Sequence, residues 1–440
     1  MHNTMSTLQE TKNTILISAV FENWVNASPR VNAFAATIQE AAHSFLKQGI
    51  PTTKHEEWKY TNVTKLATTD FQISANNNTL KKVDVKEMKV TADAVIVVLE
   101  NGVVNKEASN LEALPKGIHI GSIHDMLENA AVKKHFLQHA DYKTEPFVAL
   151  NTATFSDAVC IIADANVEME TPIHVMMVNT CDEYNAYIPV RVLVVADKNA
   201  SIHVVETFDS FSHTNNSIFV NAVSEVVLAE NAKVNYVKLQ DDPLNTTHIN
   251  YHRVAMARDS YQHLTTLSLG GGLIRNNLNI RLGDVNCTAY LNGLTVARHK
   301  QLVDHHTAVD HAMPHCYSNE LYKNLIDDQA QGVFNGKIFV RKDAQKTNAF
   351  QSNKNLLLSD DATMNAKPQL EIFADDVKCS HGATTGQLDD ESLFYLRARG
   401  IGEDAARALL NHAFAAEVME GIAHEGVKEK MLDILNEKLK

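Results

Sequence analysis

A chain of 440 residues is long enough for one elongated core with smaller attachments, or for two to three domains. Its 40 Lys and Arg against 53 Asp and Glu leave a formal charge of -13 with no basic stripe, which argues against nucleic acid or an anionic membrane as partner. Cys160, Cys181, Cys287, Cys316 and Cys379 are odd in number and widely scattered, as free thiols in a reducing compartment would be, so a cytoplasmic protein is expected.

The apolar run Ile15 to Phe21 is too short for a signal peptide and is closed by Glu22, and no stretch approaches the roughly 18 apolar residues of a membrane span. Between Pro29 and Gly49, Val31, Phe34, Ala35, Ile38, Ala42 and Phe45 recur at helical spacing and predict an amphipathic helix. His55, Glu56 and Glu57 then crowd against Trp58. They read either as an acid-base or metal group or as a polar loop anchored by Trp58 and Tyr60, and the anchored loop is the simpler reading.

A polar tract over 74–90 gives way to β-branched runs, which sets an N-terminal helical region at 1–90 and a β core at 91–385. A helical insertion is predicted at 122–140, with Ser122 as cap and Ile123, Met126, Leu127 and Ala130 as its stripe, and beyond Phe147 the helical signal vanishes for a long way. Ala163-Asp164, Ala196-Asp197 and Ala229-Glu230 recur every 33 residues, each followed closely by Asn and a new strand, and Ala257-Arg258-Asp259 continues the series. Strands without intervening helices at such a period predict a stacked solenoid, a parallel β-helix, over the competing antiparallel sandwich. The continuous apolar run at 192–196 favours the solenoid.

The glycines of LSLGGGLIRNN (267–277) and GVFNGK (332–337) lack the Lys-Ser or Lys-Thr of a phosphate loop and read as β-turn glycines. A dense ligand-like cluster follows, with Asp304, His305, His306, Asp310, His311, His315 and Cys316. Its spacing matches neither a metal-binding helix nor a paired Cys knuckle, so it reads as stacked polar side chains, with a β-helical metal-dependent enzyme as the alternative function.

Residues 386–440 are predicted helical, with ESLFYLRAR capped by Asp389 or Asp390. A second helix from Glu403 carries Ala406, Leu409, Leu410, Ala413, Phe414 and Val418 on one face, and a third carries Val427, Met431, Leu432, Leu435 and Leu439. These faces either cover the end of the solenoid or leave a surface for another protein. Just before them, an extended chain would put Phe373, Asp375, Val377, Cys379 and His381 on one side. Cys379 and His381 are then adjacent soft donors, but two donors fall short of the roughly four of a closed metal site, and a buried thiol beside a hydrogen-bonded imidazole is the other reading.

The segments EEWKYTN (56–62), VDHAMPHCYSNELYK (309–323), GKIFVRKDAQKTNAFQSNKNLLLS (336–359) and KPQLEIFADDVKCSHGATTGQLDDESLFYLRARGI (367–401) closely resemble the SufB/SufD family of iron–sulfur cluster assembly proteins. Within it the chain is similar to the SufD branch, because Gly382 follows His381 where SufB-like sequences carry Glu. The resemblance implies a right-handed parallel β-helix between helical N- and C-terminal regions, in a scaffold subunit without turnover of its own. It implies pairing with a SufB-like subunit through the C-terminal ends of the two β-helices, and capture of a SufC-like ATPase by the C-terminal helices. Carried over residue by residue, His381, and less directly Cys379, would face a nascent cluster at that interface. The cofactors it implies are an iron or iron–sulfur cluster held transiently in the complex, with room left for a flavin, and none stably bound by the chain alone. An isolated chain would pair its own β-helix ends as a homodimer.

Overall fold

The computed structural model describes residues 31–439 apart from 75–78, 83, 113, 182 and 211–214, so the Ile15 to Phe21 run and the predicted helix start at Pro29 lie outside the described residues. Helix Ala35–Gln48 buries Ile38, Ala41, Ala42 and Phe45. It ends at Gly49, whose φ of 67° lies in the left-handed region open to glycine and whose N–H closes on the Phe45 carbonyl.

From Val159 to Gly386, successive strands fall alternately in two ten-stranded sheets, the first entered at Val159–Ala163 and the second at Ile173–Asn179, and each pairs in parallel with the strand two places away. Glu206, Lys238 and Thr266, for example, are in-register neighbours on three successive strands. Each pair of strands is therefore one turn of a parallel β-solenoid of about seven turns. An antiparallel sandwich cannot give this pairing.

The 33-residue recurrence corresponds to one turn of the coil. The Asp197 N–H donates to the Ala163 carbonyl at 3.0 Å and the Ala229 N–H to the Ala196 carbonyl at 2.9 Å, which stacks corner on corner. Asn166, Asn199 and Asn231 sit there with φ of 63°, 59° and 57°, a conformation that asparagine tolerates better than most residues. Their amides stack as well, Asn199 donating to Asn166 at 2.7 Å and Asn231 to Asn199 at 3.0 Å.

The apolar run at 192–196 is continuous because its strand is covered on both faces. Val192 and Val194 point into the lumen, while Leu193 and Val195 lie under outer elements that include Ile123, Val132 and Phe136. Within 122–140 the chain forms two short helices, Ile123–Met126 and Ala130–His135, and the Ser122 hydroxyl accepts the His124 N–H. The helical signal does not end at Phe147 as expected. Helix Pro146–Thr154 lies on the outer face of the first sheet, every residue from Phe147 to Thr154 is buried, and a helix with no polar side has no amphipathic signature.

Two further corrections concern glycines and aromatics. Gly270 and Gly272 do sit at a turn, where an added Cβ would meet the Asp242 and Leu244 carbonyl oxygens at 2.4 and 2.2 Å. Gly332 and Gly336 instead lie within strand Gln331–Val340, and an added Cβ at each would collide with lumen side chains. Trp58 docks the N-terminal segment, packed at a tilt against Phe147, whereas Tyr60 is exposed.

The penultimate helix, Glu403–Met419, buries Ala406, Asn411, Ala415, Val418 and Met419, so its buried face is rotated from the predicted one and Leu409 is exposed. The last helix, Glu425–Leu439, buries Val427, Met431, Leu435 and Leu439 in an apolar cluster with Val205, Val237 and Leu267 of the second sheet. These two helices thus cover the solenoid.

The two ends of the solenoid differ. One is closed by short antiparallel strands, Val103–Asn105 and Ile118–Ser122. The other ends in two long parallel strands, Thr363–Ile372 and Lys378–Gly386, each paired on one side only among the described residues.

On the outer face of the first sheet, Arg191 and Glu225 form a fully buried ion pair of 2.6 Å. Burial opposes the charge on Glu225, yet Arg191 and the N–H groups of Leu137, His139 and Ala140 hold its carboxyl below the usual range. Glu225 therefore fastens the outer segment to the coil. Glu225→Ala leaves an uncompensated buried guanidinium and should lower stability by about 3–5 kcal/mol, measured by urea denaturation; a loss below about 1 kcal/mol would contradict the fastening role.

Candidate functional site

The open end of the solenoid brings together what the sequence singled out. Cys379 and His381 lie on the final strand, Lys378–Gly386, with inward-facing Ala349 and Gln351 as their register partners. Residues 373–377 form a corner and not a continuation of the strand, so only Cys379 and His381 of the expected row share a side. Phe373 packs on Phe339 at 5.3 Å outside the lumen. Cys379 is half-buried against an apolar patch that includes Val377, and burial raises its thiol above the usual range. His381 is exposed and borders a cavity of about 580 Å³ with Phe350, Gln351, Ser380 and Glu417.

Behind His381 in the same inward column stand Gln351 and then Glu320, one on each preceding turn of the second sheet. Glu320 is fully buried, and its carboxyl is pushed up to about 7 by burial, an effect that hydrogen bonds from Thr307 (2.6 Å) and Gln351 (3.2 Å) only partly offset. Sequence reading passed over this pair. Its one signal is the alternation of polar residues at Ser318, Glu320 and Asn324, too polar for a plain apolar core.

The strand Leu302–His311 divides the His- and Asp-rich cluster between its two faces. His305 and His311 point into the lumen, where His305 Nε2 meets Thr295 Oγ1 at 3.1 Å and His311 Nε2 meets Ser318 Oγ at 2.8 Å. Burial lowers both imidazoles to about 4, so they are neutral at ordinary pH. His315 occupies a corner with φ of 61°, and Cys316 is buried beside Cys287, which through hydrogen bonding, together with burial, holds its thiol far above the usual range. Asp310 pairs with Arg341 at 2.7 Å. Among the described residues no three His, Cys, Asp or Glu side chains are grouped to hold a metal ion.

Asp304 and His306 point outward, and there they meet the other cluster singled out from the sequence. His306 bridges Asp304 (Nε2 to Oδ1, 3.0 Å) and Glu57 (Nδ1 to Oε2, 3.3 Å). Arg275 donates to Asp304 and to the Glu57 carbonyl at 2.7 Å each, and its guanidinium lies 3.8 Å from the Trp58 ring centroid. The Thr61 hydroxyl completes the set on Asp304. Burial opposes every charge here. The two carboxylates nevertheless hold His306 above the ordinary histidine value, and His306 and Arg275 hold Asp304 well below the usual carboxylate range. Both ring nitrogens of His306 are engaged by carboxylates, so neither is open to a metal. The cluster is a clasp that fixes segment 56–61 to the coil.

The sign of its pH dependence follows from these shifts. A raised histidine contributes stability that is full below its unfolded value of 6.5 and lost as pH rises through the folded one; the lowered Glu57 contributes above 4.5 and is lost as pH falls. The clasp should therefore be strongest between these values. His306→Gln should destabilise the chain most in that window and progressively less as pH rises, read as the difference in urea midpoint between variant and wild type; a difference independent of pH would contradict the clasp.

Comparison with known proteins agrees with the coil and its flanks. The SUF system FeS cluster assembly, SufBD core domain matches residues 178–414, and the SufBD protein N-terminal region matches residues 24–175. The chain is 35% identical to an iron–sulfur cluster assembly SufBD family protein of Synechocystis sp. over 85% of this chain and 84% of that one. It is 30% identical to the iron–sulfur cluster assembly protein SufD of Escherichia coli, over 91% and 92% of the two chains, and 29% identical to SufD of Bacillus subtilis, over 70% of each. With a core-domain match over more than half its length and full-length relatives of the SufD type, the chain belongs to the SufBD family of the SUF iron–sulfur cluster assembly system.

Proposed function

We propose that this chain is a SufD-like, non-catalytic scaffold subunit that joins a SufB-like subunit through the open end of its solenoid and presents His381 to a nascent iron–sulfur cluster there. The observation that carries this reading is the asymmetry of the two ends. Among the described residues, parallel strands of ten and nine residues are left with an unpaired edge at one end only, while edges elsewhere in proteins are kept short or covered. Ile372 and Phe373, 40% and 58% exposed, add apolar surface beside that edge.

His381 and Cys379 supply two donors at the edge, and a four-ligand cluster site is completed by a second chain. Iron and sulfur are cargo in this scheme. The raised thiol of Cys379 remains protonated until a metal displaces the proton. In the absence of the SufB-like subunit, two copies of this chain would join the same edges about a two-fold axis. The free thiols suit a reducing cytoplasm.

The SufC-like ATPase is assigned to helix Asp390–Ala398, which lies next to the open end and leaves Phe394 and Tyr395 73% and 58% exposed. Because the two helices after it cover the second sheet, deleting residues 386–440 would uncover the core and would not isolate the docking role. Phe394→Glu combined with Tyr395→Ser is the cleaner probe. It should abolish co-purification of the ATPase while leaving thermal stability unchanged, and undiminished capture would remove the assignment. His381→Ala, co-expressed with both partners, should keep the complex and lose its cluster, read as iron and sulfide content; wild-type content would refute the ligand role.

A further inference from the structure

We propose that Gln351 positions His381, its side-chain carbonyl accepting the hydrogen on one imidazole nitrogen so that the lone pair of the other faces outward. The assignment rests on the reading of His381 as a cluster ligand and adds to it the residue that orients the ring. Gln351 and His381 are in-register neighbours on adjacent parallel strands, which lie about 4.8 Å apart, so their side chains stack on the inward side.

The orientation of the Gln351 amide is set from behind. Glu320 Oε1 accepts from Gln351 Nε2 at 3.2 Å, and its other oxygen is taken by Thr307 at 2.6 Å. An amide that gives its nitrogen to a carboxylate turns its oxygen the other way. That oxygen, Oε1, is buried and has no hydrogen-bond partner, and Gln351 is only 3% exposed. The facing wall leaves the amide no choice of volume, since a Cβ on Gly336 would stand 2.3 Å from Gln351 Nε2 and 2.7 Å from its carboxamide carbon.

The chemistry fits the neighbour. Histidines that bind metal through one nitrogen usually donate the other N–H to a carbonyl or carboxylate, which fixes the tautomer and makes the ligating nitrogen more basic. His381, exposed and next in the column, is the donor that the orphaned oxygen lacks. Glu320 acts only through Gln351, as the group that prevents the amide from turning over.

The test reads the imidazole itself, with no cluster present. In the full chain carrying ¹⁵N-labelled histidine, with His381 assigned by its loss in His381→Ala, ring nitrogen shifts at about pH 8.5, above the ordinary histidine pKa, report the tautomer. Wild type should show a tautomer ratio displaced about fivefold from that of an unpaired imidazole, as one net hydrogen bond implies. Gln351→Met, which keeps length and removes the acceptor, should return the unpaired ratio, and Gln351→Glu, which keeps an acceptor, should preserve the displaced one. An unpaired ratio in wild type, or an unchanged ratio in Gln351→Met, overturns the proposal. In the complex with both partners, Gln351→Met should lower cluster assembly about tenfold or more. Normal assembly in His381→Ala would refute the ligand reading and leave the tautomer result to stand or fall separately.

Discussion

Everything in this molecule depends on parallel strands stacked in register, because a coil of this kind satisfies the backbone of each turn only through the turns on either side. The corners make the register possible. Asn166, Asn199 and Asn231 hold the left-handed turn conformation and pass hydrogen bonds from one turn to the next, so that inward positions line up as columns along the lumen. The same rule leaves a debt at each end. Antiparallel strands cap one end, whereas two long edges are left over at the other.

Stacking in columns also determines how polar residues are used. A residue inward on one turn has inward neighbours on the next, which is how Glu320, Gln351 and His381 form a line from the closed interior to the open edge although 30 or more residues separate each from the next in sequence. On the outer face, Asp304 and His306 meet Glu57, some 250 positions earlier in the chain. Segment 56–61 is held there by charge and by the packing of Trp58 against Phe147 and under the Arg275 guanidinium, a combination that turns a dense run of potential ligands into a structural clasp.

Much of the fold was legible because it repeats. The recurrence of Ala before an acidic residue at 163, 196 and 229, the closely following asparagines and the apolar run at 192–196 carry the coil in local sequence, and Gly49 marks the first helix end. Helix Pro146–Thr154 was not legible, since being buried all round it shows no polar face, and the rotated face of Glu403–Met419 reflects the shape of the sheet beneath it. Gly332 and Gly336 read as turn residues but are strand residues, emptied of side chain by Met364 on the next strand and by Gln351 across the lumen.

By itself the sequence determined the repeating coil, the free thiols, the pairing of Cys379 with His381 on one strand face and the family resemblance, since each rests on spacing or motif within a short stretch. Tertiary structure alone decided which charged groups meet. It split Asp304, His305, His306, His311, His315 and Cys316 between lumen, corner and clasp, and it placed Gln351 and Glu320 behind His381. Alternation along one strand predicts only the side a residue faces, while its neighbours across the lumen or under an outer segment depend on the register of the whole stack.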